Sequence, residues 1–178
     1  MGEVVMSSDQ LIAVASDALR GLIQAAVPPG VPVRVGPPSP GGEASSGLSV
    51  HLFRIGVLPL VRAVPTIGSD GRRVRPELGL QLDYLLSGLG GEVLPEMQLL
   101  GTALQALVDS PVRERQALLA LLSEPDRLAA LSPGAFTVQW RLLELPVGEQ
   151  CQVWLASGMR QRGGVFVRAE AIWQAVPG

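Results

Sequence analysis

Apolar residues follow two different periods between Leu78 and Pro111, which predicts a strand followed by a helix. The first part alternates two sets: Leu78, Leu80, Leu82 and Tyr84 against Gly79, Gln81 and Asp83. Alternation at a period of two places the apolar set on one face of a strand, against a core. After a turn-forming run at 87–91, a further set recurs every three or four residues: Met97, Leu100, Leu104, Leu107 and Val108. We expect an amphipathic helix that begins near Pro95 and packs on the sheet.

Helices are also predicted elsewhere along the chain. A first helix, capped by Ser8 or Asp9, carries an apolar stripe: Leu11, Ala15, Ala18, Leu19, Leu22, Ile23 and Ala26. Ser110 and Pro111 are typical of the start of another helix, and Pro125 and Pro133 bound a short helical piece. Pro146 opens a last helix that contains Trp154.

Four further segments have the alternation of strands: 31–35, 48–55, 136–142 and 165–173. In the second of these, Arg54 falls on the same side as Leu52 if the alternation is regular. The first two would form a wide hairpin. Together these elements predict an α/β, or α+β, fold with a mixed, largely antiparallel sheet of about five strands and helices packed against it. Residues 1–178 form a single domain in this interpretation, with flexible loops near 36–47 and 66–76.

The composition favours a protein that associates with other subunits. Hydrophobic residues make up 47% of the chain and charged residues only 17%, and the mean hydropathy is +0.33. This is more apolar than a soluble monomer of this size requires. No apolar run approaches the roughly 18 residues of a membrane span, and the first ten residues lack the features of a signal peptide. We therefore expect no membrane insertion and a cytoplasmic location.

Several chemistries are disfavoured by missing residue types. The chain has no Lys, and all fourteen basic residues are Arg, which removes the P-loop Lys and Schiff-base chemistry. One His and one Cys cannot build the usual zinc site or an internal disulfide. A net charge of -2 argues against a general nucleic-acid binder. We expect no catalytic residue, no metal, no cofactor and no nucleic acid.

The individual candidates for chemistry are better explained as structural. His51 and Cys151 lack partners in sequence, and Asp83 and Tyr84 point to opposite faces of one strand. Packing is favoured for Trp140 and Trp154, whereas for Trp173 packing and contact with a partner both stay open.

One basic cluster lies in the second predicted loop, as Arg72, Arg73 and Arg75. Such a cluster is ordinarily solvated, and its alternative role is contact with an acidic face of a partner.

The order of elements resembles the cap, or tail-terminator, proteins of extracellular contractile injection systems, the antifeeding-prophage type of phage-tail-like particle. The resemblance covers nearly the whole chain and rests on these segments: the first helix through VPVRVGPP; LSVHLFRIGVLPLVRA; LGLQLDYLLSGLG with MQLLGTALQALVDSPV; and FTVQWRLLELPVGEQCQVWLASG before the closing strand. The strongest part is the strand, the turn and the LLGTALQAL helix. None of these segments is a catalytic signature.

The resemblance implies a structural protein and not an enzyme. It implies a hexameric ring on the distal end of an inner tube and sheath, which ends their polymerisation and holds the last sheath ring within an assembled particle. Because sheath subunits of this kind exchange strands, the last strand could lend an edge to them, which makes Val165, Val167 and Trp173 candidate interface residues together with the arginine cluster. A baseplate or adaptor component of the same particle, or a small unrelated enzyme, is the alternative.

Overall fold

Six strands form one sheet in the computed structural model, which describes residues 9–38, 46–59, 66–67, 73–74, 78–130 and 134–175. The elements in chain order are α1 (Asp9–Ala26), β1 (Val33–Val35), β2 (Leu48–Val57), β3 (Thr66–Ile67), β4 (Arg73–Val74), β5 (Leu78–Gly88), α2 (Val93–Asp109), β6 (Val112–Glu114), α3 (Arg115–Leu119), α4 (Asp126–Ala130), β7 (Gly134–Leu142), α5 (Val147–Ala156) and β8 (Gly164–Ala175). The sheet has the order β1-β2-β5-β8-β7-β6. The predicted fold class is confirmed, with six strands in place of about five.

The first two strands of the sheet are parallel, whereas every other pair in it is antiparallel. Val33 lies opposite Leu48 and Val35 opposite Val50, so β1 and β2 run in the same direction. After β1, the chain therefore has to return to the end of the sheet where β1 began before β2 can start. A parallel pair needs such a crossover, and a hairpin cannot provide it. The predicted hairpin of these two strands is therefore wrong.

One face of the sheet, which we call the helix face, is covered by α1 and α2. Its β5 residues are Leu80, Leu82, Tyr84 and Leu86, and all four are buried. Alternation on β5, β7 and β8 is confirmed, because Val138 and Ala169 share this face and are also buried. The α1 stripe packs on the same core, except that Ala26 is exposed.

A close approach of two backbones fixes α1 against the segment that follows α3. A Cβ atom added to Gly21 would lie 1.8 Å from the carbonyl oxygen of Leu121, so only glycine fits at this point. One turn earlier in α1, Asp17 Oδ2 accepts hydrogen bonds from the Ser123 amide at 2.7 Å and from its hydroxyl at 2.9 Å. The helix is thus held by shape and by polar contacts at one end of the core.

The turn before α2 depends on glycine and on one carboxylate. Gly90 has a φ of 118°, which disfavours other residues, and its amide donates a hydrogen bond to Glu96 Oε1 at 2.8 Å. Glu96 lies in the first turn of α2, where its negative charge interacts favourably with the positive end of the helix dipole. The helix therefore begins at Val93, close to the predicted Pro95.

The buried side of α2 differs from the predicted one. Its buried residues are Leu99, Leu100, Ala103 and Leu107. Met97 and Val108, which the spacing assigned to the core, are exposed. Apolar residues occur on two sides of this helix, so spacing alone could not decide which side packs on the sheet.

The other face of the sheet is covered only in part. Helix α5 packs there through Trp154, in a small apolar cluster with Leu85, Phe166 and Met159. A β-bulge at Phe53 changes the register of β2. It turns Arg54 away from the helix face, so the prediction that Arg54 shares a side with Leu52 is wrong.

Two further predictions are altered by the described backbone, and a third stays untested. Pro111 is followed by the short strand β6, and the helix begins only at Arg115. Within the predicted loop at 66–76, β3 and β4 form a two-stranded antiparallel pair. Residues 39–45, 60–65, 68–72 and 75–77 lie outside the described residues, so the flexibility of both loops stays a prediction.

Candidate interaction surfaces

No metal-binding arrangement is found in the part of the chain that the structure describes. No three His, Cys, Asp or Glu side chains within it are grouped so that they could hold a metal ion. His51 is half-buried, and the loss of hydration lowers its pKa, which favours the neutral imidazole. Cys151 Sγ lies 3.6 Å from Oε1 of Gln161. Among the described helices, none combines the length and the apolar character of a membrane span.

The part of the second sheet face beyond α5 carries a row of charged side chains, which we call the arginine face: Arg54, Asp83, Arg141, Arg168 and Glu170. The strand register aligns Arg54 with Asp83, Asp83 with Arg168, and Arg168 with Arg141. Arg168 donates to Asp83 Oδ1 from Nε at 2.7 Å and to Oδ2 from Nη2 at 3.0 Å. Arg54 Nε donates to Asp83 Oδ2 at 2.5 Å, and Arg141 Nη2 to Glu170 Oε1 at 2.5 Å.

Asp83 is a fully buried carboxylate that is kept ionised by its neighbours. Burial raises the pKa of this carboxyl, but the hydrogen bonds and positive charges of Arg168 and Arg54 outweigh burial and hold the pKa below its ordinary value. The same contact raises the pKa of the Arg168 guanidinium. The three side chains therefore act as one charged unit.

Tyr84, the next residue along β5, lies on the opposite face, as the alternation predicts. Its hydroxyl is 3.0 Å from Ser16 Oγ in the core, and the Ser16 hydroxyl donates to the carbonyl of Ile12 at 2.8 Å. Burial raises the pKa of Tyr84 far above its usual value. Tyr84 thus anchors α1 to the sheet, and Asp83 and Tyr84 cannot act together on one substrate.

The residues predicted on the last strand belong to the core of the sheet. Strand β8 pairs with β5 on one side and with β7 on the other, so it is a central strand and the prediction that it forms a free edge is wrong. Val167 and Trp173 are buried on the helix face, and Val165 is partly buried there. Trp140 and Trp154 are buried as well. Contacts of Val165, Val167 or Trp173 with a partner stay a prediction that this packing does not favour.

One outer edge of the sheet is occupied by a side chain. The amide of Gln24, on α1, donates from Nε2 to the carbonyl of Val31 at 2.9 Å, and its Oε1 accepts from the amide of Val33 at 3.1 Å. Gln24 thus takes the place that a neighbouring strand would have beside the start of β1.

The arginine cluster in the second predicted loop is only partly described. Arg73 lies on β4, opposite Ile67, whereas Arg72 and Arg75 lie outside the described residues. Contact of this cluster with a partner remains a prediction.

A second apolar side of α2 faces solvent and forms the α2 stripe: Leu94, Met97, Gly101, Leu104 and Val108. The exposed fractions of the Leu94, Met97 and Val108 side chains are 72%, 56% and 62%. The five positions are three and four residues apart, the spacing with which helices pack on each other. A Cβ added to Gly101 would meet nothing within 4 Å, so the middle of the stripe is open. Such a stripe is typical of an interface.

Neither surface could be found from the sequence pattern alone. The members of the arginine face come from four strands, and the strand register brings them together. Along the sequence, Arg54 lies 29 residues from Asp83, and Arg168 lies 85 residues from it. The α2 stripe was visible as apolar residues, but the pattern assigned part of it to the core.

These features define a class of protein: an α+β domain with a mixed sheet, two exposed surfaces suited to contacts, and no group of metal-binding side chains among the described residues. The chain belongs to the family of the Pvc16 N-terminal domain, which matches residues 15–173. No match is found among curated proteins.

Two solved structures have a similar fold. The cryo-EM structure of the sheath/tube terminator of an extracellular contractile injection system, PVC, in its extended state is 14% identical in sequence, with a TM-score of 0.63. The match covers 94% of this chain and 57% of that one. The tube-terminating cap of the anti-feeding prophage is 16% identical, with a TM-score of 0.60, and 91% of this chain matches 54% of that one. The chain thus spans just over half the length of each.

Proposed function

We propose that this chain is a structural cap, or terminator, of a contractile injection system. It covers the distal end of the inner tube and sheath, ends their polymerisation and holds the last sheath ring. The observation that carries this proposal is the match of 94% of the chain to the fold of a sheath/tube terminator, together with membership of the Pvc16 N-terminal domain family across residues 15–173. The similarity to a tube-terminating cap supports the same assignment.

The physical logic of a cap needs surfaces and no reaction. Subunits that add head to tail form an open assembly, which grows until its end is covered by a ring of different shape. Such a ring has to bind the last subunits on one side and offer no site for further growth on the other. The described residues contain no group of side chains that could hold a metal ion, and the proposal includes no enzymatic step and no cofactor.

The proposed ring is a hexamer of this chain, and the α2 stripe is the surface we assign to contacts between its copies. Its exposed apolar residues, Leu94, Met97 and Val108, lie on one side of a helix whose other side is anchored in the core. Burying apolar surface of this kind drives association, at roughly 25 cal/mol per Å² removed from water. We place the assembly of the ring in the cytoplasm, before its incorporation into the particle.

Electron microscopy of particles made without this protein tests the proposal. We expect tubes of uncontrolled length and sheaths lost from their tubes, both restored when the wild-type chain is supplied. Particles of normal length with intact sheaths would contradict the proposal.

The position of the protein in the particle provides a second test. A tag on the chain should label the end opposite the baseplate. Label at the baseplate end would overturn the cap assignment and favour a baseplate or adaptor component.

A further inference from the structure

The arginine face lies where the sheet has no cover among the described elements. Helices α1 and α2 pack on the opposite face. Helix α5 packs on the same face as the arginines, but over Leu85 and Phe166, which lie two residues along the strands from Asp83 and Arg168. The face is also open at its β2 side, where Gly56 has no side chain to shield Gln81 opposite it. Among the described elements, none stands between this row of charges and an approaching partner.

The acidic groups of this face lie deeper than two of its three arginines. The exposed fraction of the side chain is 0% for Asp83 and 25% for Glu170, compared with 45% for Arg54, 53% for Arg141 and 16% for Arg168. Three guanidiniums stand against two carboxylates, which leaves one positive charge on a chain whose net charge is -2. A molecule that lies on this surface therefore meets mainly guanidinium groups.

The guanidiniums are already held in place before any partner arrives. Asp83 binds Arg168 through two nitrogens and Arg54 through Nε. Arg54 donates no other hydrogen bond within the described residues, so its two terminal nitrogens keep their donors. Because the side chain is already ordered by Asp83, less entropy is lost when these donors bind a second acceptor.

We propose that the arginine face binds a protein segment that carries Asp or Glu carboxylates. Planar guanidinium groups match carboxylates through paired hydrogen bonds. A nucleic acid is a poorer fit, because neutralising a run of phosphates needs a strongly basic surface and this face has an excess of one positive charge. This inference takes the identity of the partner from the proposed function: the acidic segment belongs to the tube or sheath subunits that the cap covers.

The test compares binding of the wild-type chain and of charge variants to purified inner tubes and to sheathed tubes of the same particle, by co-sedimentation. The variant R54Q/R141Q keeps the bond between Asp83 and Arg168, so the fold should survive, which a thermal melt checks. The control R160Q/R162Q removes the same charge from exposed arginines beyond α5. We expect R54Q/R141Q to bind at least tenfold more weakly, as the loss of one or two charge-assisted hydrogen bonds predicts, and the control to bind as the wild type does.

The variant R54K/R141K separates the shape of the group from its charge. We expect it to recover only part of the lost affinity, since an ammonium group cannot form the planar fork. Wild-type binding by R54Q/R141Q, or equal losses in both glutamine variants, would overturn the inference and leave the proposed function standing.

A wild-type chain that binds neither tubes nor sheaths would contradict the proposed function, and the arginine face is then tested by itself. NMR titrations of the same protein compare a short poly-glutamate peptide, inorganic phosphate and a short DNA duplex. Shifts at the Nε resonances of Arg54 and Arg141 with the peptide, together with weaker shifts of the backbone amides of this face in R54Q/R141Q at the same peptide concentration, support the inference. Tighter binding of phosphate or DNA, or no shifts with the peptide, would overturn it.

Discussion

The two faces of the sheet differ in what their ordered side chains accomplish. On the helix face, Leu82 and Tyr84 are removed from water by α1 and α2, and the apolar contacts there determine whether the chain folds. On the arginine face, Asp83 is equally buried, but it is covered by the side chains of Arg54 and Arg168, and no helix or strand among the described residues packs over it. The comparison shows that neighbouring residues of one strand can serve two purposes: one stabilises the core and the next arranges donors for a partner.

The largest effect is expected from a cavity on the helix face. Replacing Leu82, which is fully buried, with Ala should lower the free energy of unfolding by about 2 to 5 kcal/mol, because the surrounding core cannot close the space. Leu155→Ala is the matched control, since this leucine is exposed on α5 and should change the free energy by less than about 0.5 kcal/mol. Urea denaturation measures both, and equal losses would contradict the distinction between core and surface.

A smaller loss is expected from Asp83→Asn on the other face. The change leaves two guanidiniums without their carboxylate, and we expect a loss of about 2 kcal/mol, below the value for a deeply buried pair because Arg54 is half-exposed. Glu170→Gln, in the same face but partly exposed, should cost less than about 1 kcal/mol.

The pH dependence of the Asp83→Asn variant sharpens this prediction. The pKa of Asp83 is lower in the folded chain, so ionisation favours folding. This stabilisation is complete above the unfolded pKa of about 3.9 and is lost as the pH falls through the lower folded pKa. Urea midpoints measured down this range should fall less steeply in the variant than in the wild type. Identical slopes would mean that Asp83 does not contribute to acid unfolding.

Tyr84→Phe should have a modest effect on the helix face. It removes the hydrogen bond with Ser16, whose hydroxyl keeps its bond to Ile12, so we expect a loss of about 1 kcal/mol. The pKa of Tyr84 is raised in the folded chain, so its contribution is complete below the unfolded pKa of about 10 and is lost as the pH rises above it. The variant should therefore lose less stability in alkali. Alkaline unfolding curves that coincide would contradict this assignment.

The smallest change in folding, with a large change in association, is expected on α2. The variant L94E/M97E alters two exposed residues, so thermal stability should change by less than about 0.5 kcal/mol. If the α2 stripe joins copies of the chain, mass measurement should show smaller assemblies than the wild type forms. The exposed Leu155→Glu on α5 is the control, and equal assemblies in all three proteins would remove the stripe from the proposed ring contact.

The sequence predicts best where a single period is unambiguous. Between Leu78 and Tyr84, apolar residues of β5 occupy every second position, and the two faces of this segment are those predicted. The stripe of α1 and the alternation of β7 were predicted for the same reason, since each has apolar residues on one side only. In these elements local periodicity and tertiary packing agree.

Prediction fails where the decisive information lies in another part of the chain. The bulge at Phe53 reverses the side on which Arg54 lies, and the pairing of β2 with β5 sets this bulge. The parallel arrangement of β1 and β2 depends on the path of the long connection between them. The central position of β8 depends on its pairing with β5 and β7, which precede it in the sequence. The arginine face combines all these unknowns, so it could be recognised only from the assembled sheet.

The amide of Gln24 has a consequence for how copies of this chain coexist. An unpaired edge strand can pair with the edge strand of another copy, and repeated pairing of this kind builds fibrils. A high local concentration of the same protein favours such pairing. Gln24 satisfies the carbonyl of Val31 and the amide of Val33 from within its own molecule, so the start of β1 offers fewer backbone groups to an identical strand edge nearby. Pairing between the β1 edges of two copies is therefore less favourable at this point, even at high local concentration.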